Sequence, residues 1–143
     1  MLFRSSCMIT SRREILIHSD LRHVWHVLTA IPAWPSWNPD VKWARTTGPL
    51  QVGCVFVWNA GGLSITSVVQ ELEPPHLIVW QGNTLGMHAR HHWGLDQHED
   101  MIRVSTEETM SGWLSALLKL FRRNFLDDSL DRTLKFLKRK SEI

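Results

Sequence analysis

Residues 113–140 read WLSALLKLFRRNFLDDSLDRTLKFLKRK, and the reading of this stretch decides the fold. It contains no Gly or Pro and is rich in Leu, Lys, Arg and Asp, which a helix tolerates or favours. Ser111 and Gly112 punctuate its start. Lys135, Lys138, Arg139 and Lys140 fill its last turns, where cations suit the negative end of the helix dipole. Leu114, Leu117, Leu118, Phe121 and Phe125 recur at helical spacing, and so do Leu126, Leu130, Leu134 and Leu137. The two sets lie on different sides of an ideal helix, so the apolar stripe drifts or the helix bends near Asp127 and Asp128. A helix this long needs a large partner surface. The chain before it reads mostly as strands, and a curved sheet wrapped on the helix is the economical arrangement.

Upstream, Arg12 to His18 is a short β-type run, and Ser19 or Asp20 offers an N-cap to a helix ending near Ala30. Val24, Trp25, Val27 and Leu28 form its apolar side. Three prolines then interrupt residues 31–39, which still supply Trp34 and Trp37 and read as a short helical turn that closes something. Strands are expected at Val41 to Thr47, Cys54 to Asn59, Leu63 to Leu72 and Leu77 to Gln81, with a loop at Gly82 to Thr84. Gly86 to Asp96 and Met101 to Ser111 form a final hairpin around Gln97 to Asp100. Pairing Gln97 with Asp100 sets Leu95 opposite Ile102, Trp93 opposite Val104, His91 opposite Thr106 and Ala89 opposite Glu108. Apolar residues then collect on one face, which looks toward the helix, and a one-residue slip would mix the faces. His91 and Glu108 become diagonal polar neighbours on an otherwise apolar concave surface.

A chain of 143 residues is one domain on size, here 12–143 after a flexible N-terminus at 1–11. Eight Trp with no Tyr require either a big core or a wide cavity to line. The formal charge of +2 is too small an excess to argue for nucleic acid, and the basic C-terminal end reads as a solvated helix terminus. Cys7 and Cys54 are the only cysteines, and with one in the N-terminal tail the chain suits a reducing compartment. Residues 1–10 lack the apolar run and cleavage site of a secretory signal, and no apolar run approaches the ~20 residues of a membrane span. The expected location is cytoplasmic, with no stable membrane insertion, as a monomer or homodimer.

The order of elements and several local motifs resemble the START-like superfamily, in its polyketide cyclase/dehydrase and lipid-transport group. The motifs are Ile15-x-Ile17-His18-Ser19 leading into Val24-Trp25, Trp34-Pro35-Ser36-Trp37-Asn38-Pro39, and Glu71 to Trp80. Arg103 to Glu108 with the strand end at Gly112, and the amphipathic C-terminal helix, complete the set. The resemblance covers the chain from Arg12 on. It implies an α+β helix-grip fold, in which a curved antiparallel sheet of six to seven strands wraps a long C-terminal helix, with two short helices after strand 1. It also implies a deep apolar cavity between sheet and helix. It does not imply a reaction, because members range from lipid carriers to ring-forming enzymes to co-chaperones.

His88, His91 and His92 suggest a metal cluster at first sight. On a strand, however, His91 faces away from the other two, and His88 and His92 stand about 13 Å apart. No metal and no cofactor are expected. His91 and Glu108 are the catalytic candidates, an acid/base pair suited to an enolisable ketone; the bland alternative is a hydrogen bond to each other, to water or to a ligand's polar end. The ligand-binding set is Trp58, Ile78, Trp80, Met87, His91, Trp93, Thr106, Glu108 and Phe121. Trp34 and Trp37 are expected to guard the mouth or pin the short helix. Three functions follow: binding of a hydrophobic or amphipathic small molecule (lipid or polyketide-like), a cyclase/dehydratase using His91 and Glu108, or a co-chaperone-like interaction module with a collapsed cavity.

Overall fold

The computed structural model describes residues 8–143. Seven antiparallel strands form one open sheet: β1 (Ile9–Ile17), β2 (Val41–Thr46), β3 (Val55–Ala60), β4 (Leu63–Glu73), β5 (Leu77–Thr84), β6 (Met87–His98) and β7 (Met101–Ser111). Their spatial order is β1-β7-β6-β5-β4-β3-β2, a meander with β1 added at the far edge. Between β1 and β2 lie helix α1 (Leu21–Thr29) and a 3₁₀ turn (Ile31–Ser36). Asp20 caps α1 by accepting from the His23 amide at 2.9 Å. The cap lets α1 start sharply and turn Val24, Val27 and Leu28 inward.

The C-terminal stretch is two helices, α2 (Trp113–Phe121) and α3 (Phe125–Ser141), rather than one long bent helix. The break falls at residues 122–124, upstream of the expected bend at Asp127 and Asp128. Its physical origin is the two apolar stripes. At about 100° per residue they point to opposite sides, so one straight helix cannot lay both on the sheet. The sheet takes the second stripe: Leu126, Leu130, Leu134 and Leu137 of α3 are buried. Asp127 and Asp128 in the first turn of α3 and Lys138, Arg139 and Lys140 in its last suit its dipole at both ends. Arg13 of β1 pairs with Asp127 at 3.1 Å and Asp131 at 3.3 Å, tying α3 to the sheet edge.

Ile9, Thr10 and Ser11 belong to β1, so the strand starts inside the expected tail; residues 1–7, with Cys7, lie outside the described residues. Strand β5 runs through Gly82 to Thr84, where a loop was expected. Gly82 fits there because a Cβ would stand 2.9 Å from the Ser67 hydroxyl and 3.1 Å from Ile65. The last hairpin is shifted by two residues from the expected register: Leu95 pairs Val104, Trp93 pairs Thr106 and His91 pairs Glu108. The turn is the tight pair Glu99-Asp100, with Glu99 left-handed at φ 57°, and this carries β6 on to His98 while β7 keeps its expected bounds. An even shift preserves the faces, so the concave set is unchanged while its pairs are new.

Candidate functional site

The apolar core fills one end of the space between the sheet and α1, the 3₁₀ turn and α3. At that end Trp34 makes edge contacts with Phe56 and Trp58, its ring centroid 5.7 and 5.3 Å from theirs, and Phe56 meets Trp80 at 5.4 Å. Such pairs add roughly 0.5–1.5 kcal/mol each beyond their buried area. Toward the other end the packing stops and a cavity of about 770 Å³ remains, reached by residues of β2 to β7 and of α3. Pro39, Gly61, Gly62, Arg122 and Asp128 are lining residues that are also exposed, and they mark its mouth. Arg132 of α3 pairs with Asp40 at 2.5 Å across one side of this rim.

His91 sits on the cavity wall between two indoles, 5.1 Å from Trp80 and stacked on Trp93 at 5.2 Å. Its Nε2 is 2.8 Å from the Thr106 hydroxyl, and its Nδ1 is 3.7 Å from Glu108 Oε1. That separation would accommodate an ion pair, but burial opposes charge on both groups. Burial, helped by the neighbouring His92, holds the His91 imidazole down to about 3. Burial pushes the Glu108 carboxyl up to about 7. The indole faces would favour an imidazolium by only ~0.5–2 kcal/mol, too little to reverse this. Arg13, opposite Thr106 on the same face, spends its guanidinium on Asp127 and Asp131. Between about pH 3 and 7 the pair is therefore a neutral imidazole beside a carboxylic acid.

Two of the wall's indole N–H groups are satisfied internally: Trp34 donates to the Leu28 carbonyl at 2.8 Å and Trp58 to the Ser67 hydroxyl at 3.1 Å. Those of Trp37 and Trp93 are buried and find no partner among protein groups. Unpaired buried donors cost about 1–3 kcal/mol each. Both residues line the cavity.

Of the residues expected to bind ligand, Trp58, Trp80, Met87, His91, Trp93 and Glu108 are brought together on the cavity wall. Three are not. Ile78 is sealed in the core, opposite Trp93. Thr106 is fully buried and reaches the site only through His91. Phe121 is exposed, because it ends α2 outside the grip of the sheet. Trp34 lies in the inner aromatic cluster, and its bond to the Leu28 carbonyl ties the 3₁₀ turn to α1, the second of its two expected roles. Ile65, Ser67 and Gly82 join the wall beyond the expected set, and their alternate spacing on β4 and β5 was the available signal. Among the described residues no group of three or more His, Cys, Asp or Glu side chains could hold a metal, and His88 instead bonds Asn83 at 2.6 Å.

A curved antiparallel sheet gripping a C-terminal helix around an apolar cavity defines a helix-grip protein of the START-like class. Residues 8–142 match the family "polyketide cyclase / dehydrase and lipid transport", and the chain belongs to that family. Solved structures share the fold at low identity. A hypothetical protein from Helicobacter pylori aligns over 93% of this chain and 88% of its own, with 18% identity and a TM-score of 0.82. The Zhui aromatase/cyclase from Streptomyces sp. R1128 covers 94% of each chain at 13% identity and 0.81. A START superfamily protein from Mycobacterium smegmatis covers 93% of this chain and 97% of its own at 12% identity and 0.77. No curated protein matches the chain in sequence. Among the described residues no helix is long and apolar enough to cross a membrane.

Proposed function

We propose that the protein binds a hydrophobic, flat small molecule that carries acceptor oxygens, in the manner of a polyketide-like aromatic ketone. The observation that carries this reading is the pair of buried, unpartnered indole N–H groups of Trp37 and Trp93, two residues that line the cavity beside its apolar side chains. The apolar surface supplies affinity, and donors without partners reward a ligand oxygen placed against them. Protonated Glu108 adds a third donor. A saturated acyl chain would fill the same volume and leave these donors unpaired. A collapsed cavity, as a co-chaperone-like module would have, fits poorly with 770 Å³ of space.

Catalysis is the second reading, favoured by the opposed His91–Glu108 pair. In it the imidazole removes a proton from the carbon beside a ligand carbonyl while the Glu108 carboxyl protonates the oxygen, yielding the enol. An imidazole held near 3 is a weak base for that task, which is why binding stands first. Titration of the tryptophan fluorescence with a polycyclic aromatic ketone, and with a fatty acid of equal carbon number, tests the main reading. Saturable binding of the ketone is expected, weakened about five- to tenfold by Trp93→Phe, with the fatty acid indifferent to the substitution. Equal loss for both ligands, or no saturable response to the ketone, would overturn it. Turnover of the bound ketone, lost about 10²–10⁴-fold in His91→Gln with binding kept, would establish the second reading.

A further inference from the structure

Helix α2 is built inside out. Seven of its nine residues (WLSALLKLF) are apolar, yet the one it buries is Ser115. Trp113, Leu117, Leu120 and Phe121 stand 61%, 45%, 75% and 74% exposed, and Leu85 in the adjoining β5–β6 turn is 73% exposed. The helix is held at its first turn. The Leu114 amide donates to the Gly86 carbonyl at 2.9 Å, and the Trp113 ring lies so close on Gly86 that a Cβ there would be 2.4 Å from it. Only a residue without a side chain allows that seat, so the exposed face is set in a defined position.

Cations border this face. Lys119, Arg122 and Arg123 are exposed, and no acidic residue occurs from 109 to 126. Among the described residues none of the three is in an ion pair, and the nearest acid in sequence, Asp127, is engaged by Arg13 and Ser11. Arg122 also lines the cavity mouth. From these features we propose that α2 docks on an anionic lipid bilayer, with Trp113, Leu117, Leu120 and Phe121 entering the interface and Lys119, Arg122 and Arg123 meeting lipid phosphates. The chemistry is that of an interfacial helix: apolar side chains gain from leaving water, and each cation near the surface adds attraction to anionic headgroups. A second copy of the chain is the poorer occupant, because a two-fold contact would bring two identical basic rims together. Docking by α2 sets the mouth at the lipid surface, where an apolar ligand can exchange without crossing water.

Sedimentation of the full chain with phosphatidylcholine vesicles, with and without phosphatidylserine, tests this. Binding is expected only with phosphatidylserine, falling at least about tenfold in Lys119→Gln/Arg123→Gln and in Leu120→Ser/Phe121→Ser. The second pair changes side chains that are three-quarters exposed, and circular dichroism checks that the fold is kept. Equal binding to both vesicle types, or binding unaffected by both variants, overturns the proposal. So does a dimer in solution that the Ser variant dissociates without vesicle binding by the monomer. Ketone titration of the same Ser variant keeps this result separate from the cavity reading, since neither residue lines the cavity.

Discussion

His91 and Glu108 face each other across β6 and β7, yet their titrations pull stability in opposite directions with pH. Glu108 is raised from 4.5 to about 7, so the folded protein holds a proton that the unfolded chain releases. Its contribution is full below about 4.5 and is lost as pH rises through about 7. His91 is lowered from 6.5 to about 3, so the unfolded chain takes up a proton that the folded protein refuses. Its contribution is full above about 6.5 and is lost as pH falls through about 3. Between 4.5 and 6.5 the two slopes oppose each other. His91→Gln should leave the Glu108 slope alone, with stability falling from pH 4.5 to 7. Glu108→Gln should leave the His91 slope, with stability rising from pH 3 to 6.5. Urea denaturation across this range decides it, and parallel profiles for the two variants would mean that the wall does not hold a neutral pair. That these two residues share the concave face was legible from period-two alternation alone. Their direct opposition was not, because the hairpin turns on Glu99, a residue that does not announce a left-handed conformation as Gly or Asn would.

At the scale of elements, the C-terminal stretch divides by what each stripe touches. Helix α3 sends Leu130, Leu134 and Leu137 into the core, each no more than 1% exposed, and α2 leaves Leu117 and Leu120 exposed with Leu114 and Leu118 half-buried. Leu134→Ala should therefore cost about 2–5 kcal/mol, the transfer term plus the cavity it leaves. Leu117→Ala should change stability by no more than about 0.5 kcal/mol, as for other surface positions. Comparable losses in urea denaturation would show that α2 packs its apolar face onto the body of the protein, and would remove the basis for bilayer docking. Helix periodicity reveals both stripes and even their opposed directions. It does not say which stripe the sheet takes, since no Gly or Pro marks the break at 122–124. Choosing one continuous helix placed Phe121 inside, and the break puts it outside.

On the scale of the whole molecule, α1, the 3₁₀ turn and α3 close a seven-stranded sheet over a core that stops short of filling it. Element order and the face of each strand made the grip readable from the chain. The excess of tryptophan left a big core and a wide cavity equally open, and the cavity was implied by the family resemblance. The cavity's volume and its unpaired indoles depend on distances between strands far apart in sequence, which no local pattern encodes. Around a cavity of about 770 Å³ the walls lack the protein contacts of a close-packed interior, and the indole donors of Trp37 and Trp93 have no partner among protein groups. A ligand that fills the cavity stabilises the folded state alone. At a free concentration one hundred times its Kd the gain is about 2.7 kcal/mol. For a domain of this size that corresponds to a rise of roughly 8–10 °C in Tm. Protein purified with its ligand should show this difference in a thermal scan before and after solvent extraction, and adding the extract back should restore the higher value. An unchanged Tm, with no small molecule in the extract, would mean that the purified protein carries its cavity empty, and the burden of the binding reading would pass to the ketone titration.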